Sequence, residues 1–136
     1  MGDMMEFAFP WPATQGEWGA WMSALVAVIF GLVLLFAPHT ALRALRLQTR
    51  EGRPHAVAEA RSTMAGFYLG LGICCLLLGN QPFLYNALGF SWLFAAFGRV
   101  ISMLSDTGNK PYNWAGLLVQ LLLAALPLGF VFGFLP

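Results

Sequence analysis

Charge is what this sequence has least of. Asp, Glu, Lys and Arg make up 10% of its 136 residues, against about 25% in a soluble globular domain. Seven Lys and Arg face six Asp and Glu, for a net charge of +1. That balance excludes a basic nucleic-acid binder and an acidic disordered tail. Cysteine is also scarce, and Cys74 and Cys75 are adjacent. They form neither a CxxC redox motif nor a zinc-ligand spacing, and packing is their expected role. His39 and His55 have no ligand spacing either. There is no nucleophile elbow, P-loop, dinucleotide fingerprint or HExxH motif. No Asp, Glu or Lys interrupts the middle of an apolar run, which excludes a proton relay or an ion-coupled transporter. No enzymatic activity and no metal are therefore expected. Nor is a cofactor, although a bound lipid is compatible with the composition.

Apolar residues dominate instead, at 59% of the chain, with a mean hydropathy of +0.70. Fifteen Gly and eight Pro are spread through the apolar runs, and membrane helices tolerate both better than soluble ones do. The composition defines an integral membrane protein. Residues 18–42, 62–98 and 111–136 carry no Asp, Glu, Lys or Arg. One crossing of a bilayer takes about 20 apolar residues. The middle stretch is too long for one crossing, and Gly79-Asn80-Gln81-Pro82 divides it. Four helices follow, over 17–37, 60–79, 83–105 and 113–134, and one domain accounts for residues 1–136. The expected fold is all-α, a membrane four-helix bundle with short loops, its second and third helices antiparallel neighbours. An acidic N-terminus (Asp3, Glu6, Glu17) argues against reading the first helix as a cleaved signal peptide.

Orientation follows from where the cations lie. Arg43, Arg46, Arg50, Arg53 and Arg61 fall in the first loop, and Arg99 and Lys110 around the third. Lys and Arg are absent elsewhere. Both basic loops should face inward and both termini outward, across the inner membrane of a bacterium. Arg43, Arg46 and Arg50 recur at helical spacing, which suggests a short interfacial helix after the first span, its arginines reaching anionic headgroups.

Small residues mark where helices can approach. The first helix carries Gly19, Ser23, Ala27 and Gly31 at intervals of four, and the second carries Ser62, Gly66, Gly70 and Cys74. Each stripe suits close packing, within the bundle or against another subunit. Arg99 lies within about two turns of the inner surface, at the depth of Arg61, Glu59 and Asp106. These four residues are the candidate cluster, either a structural clasp or a site for an anion or headgroup. Gln120, in the fourth helix, is suited to an interhelical hydrogen bond.

Two segments carry a resemblance. Glu59-Ala-Arg61-Ser-Thr-Met-Ala-Gly66-Phe-Tyr68-Leu-Gly70-Leu-Gly72 and, further on, Gly98-Arg99-Val-Ile-Ser102-Met-Leu-Ser-Asp106-Thr-Gly108 resemble the bacterial membrane family DUF4345. Pro38 after the first helix fits as well. The resemblance implies four helices and no established activity. The chain departs from it at Ala65-Gly66, where a Gly pair is usual, and at Asp106-Thr107-Gly108, where Asp-Gly is usual. The leading functional expectation is a non-catalytic accessory or scaffold subunit of an inner-membrane complex, of a respiratory or photosynthetic kind for example. Its partners would be the bilayer and other integral membrane subunits. The alternative is a small protein that binds or transports a lipid headgroup or small anion through Arg61 and Arg99.

Overall fold

Thr14 starts the first helix. Its Oγ1 accepts from the Glu17 N–H at 3.1 Å, and Glu17 Oε1 accepts from the Ala13 N–H at 2.9 Å. This reciprocal cap of the T-x-x-E kind satisfies two backbone donors before the apolar run begins. The structure is a computed structural model and describes residues 11–48, 52, 54–78, 81–105 and 111–134. Helix α1 spans Gln15–Phe36 and stops there because Pro38 disfavours helical backbone at Ala37. Pro38 then opens α2 (Pro38–Ala44). A 3₁₀ turn at Pro54–Val57 and a wide π-type turn at Ala60–Met64 lead into α3 (Ala65–Leu77). Helices α4 (Pro82–Ser105) and α5 (Pro111–Val131) complete the order. The described residues contain no strand. Four segments are long and apolar enough to cross a membrane: Gln15–Phe36, His55–Leu77, Phe83–Ser105 and Pro111–Val131.

The short basic helix is present but ends before the arginine pattern does. Leu47 N–H donates to the Leu42 carbonyl at 2.7 Å and Arg46 N–H to the Arg43 carbonyl at 3.0 Å, with Arg46 at φ 60°. That is a Schellman closure, whose left-handed position normally takes Gly. An arginine there costs about 1 kcal/mol. Arg43 therefore stays on α2 while Arg46 leaves it; Arg50 lies outside the described residues.

Helix α1 packs extensively along α3 and also along α5, while α4 packs extensively along α5. Helices α3 and α4 follow one another directly but share much less contact, part of it where Cys75 Sγ donates to the Leu84 carbonyl at 3.3 Å. A short connection makes neighbours of two helices without making them a tightly packed pair. Between α1 and α3 the approach is set by glycine. A Cβ on Gly72 would lie 3.0 Å from the Ala24 carbonyl oxygen and 3.1 Å from Val28 N, and one on Gly31 3.0 Å from Leu69 N. Ala20, Ala24, Ala27, Cys75, Tyr85, Leu88, Trp92, Leu123 and Ala124 form the main core. Leu34, Ala41, Leu42, Ala60 and Ala65 form a second one, which holds α2 under the end of α1.

The two small-residue stripes part company here. Ser23, Ala27 and Gly31 are buried, and Gly19 packs against Leu126 of α5. Ser62, Gly66, Gly70 and Cys74 are all exposed. The face of α3 that α1 covers runs instead through Ala65, Leu69 and Gly72, about 100° round the helix. Burying Leu69 and Met64 beside α1 removes more apolar surface than burying glycines would, and this selects the register.

Ser23 has a second task. Pro127 sits inside α5 and has no N–H, which deprives the Leu123 carbonyl four residues earlier of its helical donor. The buried Ser23 hydroxyl donates to that carbonyl at 2.7 Å. Ser23→Ala should cost about 1–2 kcal/mol, read as a lower thermal midpoint in detergent. An unchanged midpoint would show that this bond contributes nothing.

Candidate functional site

Arg99 lies six residues before the end of α4, about 9 Å from it along the axis. A guanidinium at such a position needs partners, and α5 supplies them. Arg99 Nε donates to Gln120 Oε1 at 2.9 Å and Nη1 to Asn113 Oδ1 at 2.8 Å. The two acceptors are seven residues apart, two turns along one face of α5, with Gly116 between them. A Cβ on Gly116 would lie 2.8 Å from Arg99 Cζ, so the guanidinium rests on bare backbone. Both amides are neutral. They orient the cation without cancelling its charge.

Tyr112 joins this group from the start of α5. Its ring centre lies 6.0 Å from Arg99 Cζ and 4.5 Å from Arg46 Cζ. Its hydroxyl donates to the Ala44 carbonyl at 2.9 Å, tying α5 to the end of α2. Both guanidinium groups are thus within cation–π range of one ring. Beside Arg99 and Tyr112 is a cavity of about 350 Å³ between α1, α4 and α5, lined also by Phe30, Leu45, Gly116 and Gln120 among others. Tyr68 and Trp92 form its far wall, and their rings lie 5.7 Å apart.

A second opening lies on the other side of Tyr68 and Trp92. It is a groove of about 360 Å³ between α3 and α4, bordered by Thr63, Phe67, Leu71, Ser91 and Ala95. The exposed stripe Ser62, Gly66, Gly70 and Cys74 continues it along α3. A Cβ added to Gly66 or Gly70 would meet nothing within 4 Å.

Of the expected cluster, three residues are described, and of those Arg99 alone is found in this site. Arg61 and Glu59 are exposed around the π-type turn, where Thr63 Oγ1 is 3.4 Å from Glu59 Oε2. Among the described residues no ion pair joins Arg61 or Glu59 to Arg99. Asp106 lies outside the described residues. Depth suggests carboxylate partners; the partners of Arg99 among the described residues include two amides of the next helix. The sequence marks Gln120 as an interhelical donor or acceptor; Asn113, Gly116, Tyr112 and Arg46 carry no local signal for this site. No group of three His, Cys, Asp or Glu residues among those described is placed to hold a metal ion.

Family comparison gives one finding. The model of a domain of unknown function, DUF4345, matches residues 17–131, and the chain belongs to that family. No curated protein and no solved structure matches it.

Proposed function

We propose that the chain is a non-catalytic accessory subunit of a bacterial inner-membrane complex, and that the groove between α3 and α4 receives a transmembrane helix of a partner subunit. The supporting observation is the open space at Gly66 and Gly70, beside glycines at 31 and 72 that are fully engaged. In lipid, hydrophobicity does little to bring helices together; close backbone approach does much more, and small residues permit it. Across the groove Ser91 and Ala95 of α4 are small as well. The remaining exterior carries Phe83, Phe94, Leu104 and Leu118, bulky side chains suited to lipid tails. In this reading all four long helices span the bilayer as a bundle, with the arginine-rich loops inside and both termini outside.

Exposed Cys74 lies in the groove and provides the test. A photoreactive maleimide on Cys74, in native membranes, should crosslink the chain to one larger membrane subunit. Gly70→Leu, which fills the groove, should abolish both that crosslink and stoichiometric co-purification while leaving the chain's own melting unchanged. Crosslinks to lipid alone in the unmodified protein would refute the accessory reading.

A further inference from the structure

We infer that Arg46, Tyr112 and Arg99 form a binding site for the phosphate of an anionic phospholipid, whose acyl chain enters the adjoining cavity between α1, α4 and α5. This site is separate from the helix groove. Two arginines share one tyrosine ring, their Cζ atoms 4.5 and 6.0 Å from its centre. Two like charges gathered at one ring repel, and a bound anion offsets that repulsion. Guanidinium groups also match phosphate oxygens in geometry, Arg46 through its fork of donors and Arg99 through those not engaged by Gln120 and Asn113.

Three further features point to a ligand rather than a simple clasp. The residues that hold Arg99, Gln120 and Asn113, keep it in place while leaving its charge intact. Arg46 adopts a left-handed backbone at φ 60°, where glycine would be unstrained. Strained side-chain-bearing positions of this kind concentrate at binding sites, where placing the side chain is the gain. The cavity is amphipathic, with its charge near Tyr112 and apolar walls at Val26, Phe30 and Leu123. Its volume of about 350 Å³ falls in the range of small-molecule pockets. Trp92, only 7% exposed, lines it, and its indole N–H has no acceptor among the described residues.

Arg46→Gly is the discriminating variant, because it relieves strain while removing one cation. The full-length protein, purified in neutral detergent, would be examined by native mass spectrometry and thermal melting. Phosphatidylglycerol, phosphatidylcholine and inorganic phosphate would be titrated separately. Phosphatidylglycerol should bind at one copy per chain and raise the melting temperature. Arg46→Gly should melt no lower than the parent without lipid, yet bind phosphatidylglycerol about tenfold more weakly. Arg43→Gln, which removes an exposed neighbouring cation from α2, should bind it as the parent does. Equal binding of phosphatidylcholine, or equal losses in the two arginine variants, would overturn the site. Stabilisation by inorganic phosphate as great as by the lipid would overturn the lipid assignment and leave a phosphate clamp.

Discussion

Gly72→Ala should destabilise the protein by about 1–3 kcal/mol, whereas Gly70→Ala should leave it as stable or up to about 1 kcal/mol more so. The two glycines are two residues apart on one helix, and helix propensity favours alanine equally at both. Their surroundings separate them. A methyl group on Gly72 meets the Ala24 carbonyl oxygen at 3.0 Å and Val28 N at 3.1 Å, both main-chain atoms of α1. Backbone cannot rotate aside as a side chain does, so α1 and α3 would have to move apart along their shared face. At Gly70 there is nothing within 4 Å. Thermal unfolding of the two variants beside the parent protein, in one detergent, decides the matter. Similar midpoints for both would mean that α1 and α3 are not packed as described.

The second large effect is expected at Gly116. Alanine there puts Cβ 2.8 Å from Arg99 Cζ and 2.9 Å from Nη1. The flexible arginine yields rather than the helix, and in yielding loses its bonds to Gln120 and Asn113. Hydrogen bonds to a charged group are worth about 1.5–3 kcal/mol in soluble proteins and about 0.6 kcal/mol on average between membrane helices. Gly116→Ala should therefore cost about 1–3 kcal/mol and make Arg99 react faster with an arginine-specific dicarbonyl reagent. A double-mutant cycle sharpens the test. Gln120→Leu should be costly in the parent and nearly neutral beside Gly116→Ala, because Arg99 has already left. Additive losses would show that Gly116 does not hold Arg99 in place.

Much of this architecture was readable from charge alone. The charge-free stretches locate the four long helices, and Pro38 marks the end of the first. The face of α3 was harder. Small residues recur on it in more than one register, and the stripe of perfect spacing, Ser62 to Cys74, is the one that stays uncovered. Spacing reports that close approach is possible; it does not report which neighbour arrives. Arg99 was conspicuous as a cation inside an apolar run, but its partners were not. Asn113 and Gln120 lie 14 and 21 residues further along, across a connection whose geometry no local pattern specifies. The pairing of Ser23 with Leu123 had a legible half: a proline at 127 announces an acceptor without a donor at 123. Its donor came from 100 residues away. Position 46 gave no cue, since arginine rarely marks a left-handed turn.

That orphaned carbonyl also has a bearing on biogenesis. Were the four helices to cross a bilayer, α5 would enter the hydrocarbon carrying an acceptor whose usual helical donor is missing. Relief comes from Ser23 of α1, which is synthesised 100 residues earlier. Helix α5 thus completes its own wiring only by meeting α1. A chain truncated or stalled before that meeting would expose a polar blemish in lipid, the kind of flaw by which quality-control machinery tells unfinished membrane proteins from finished ones.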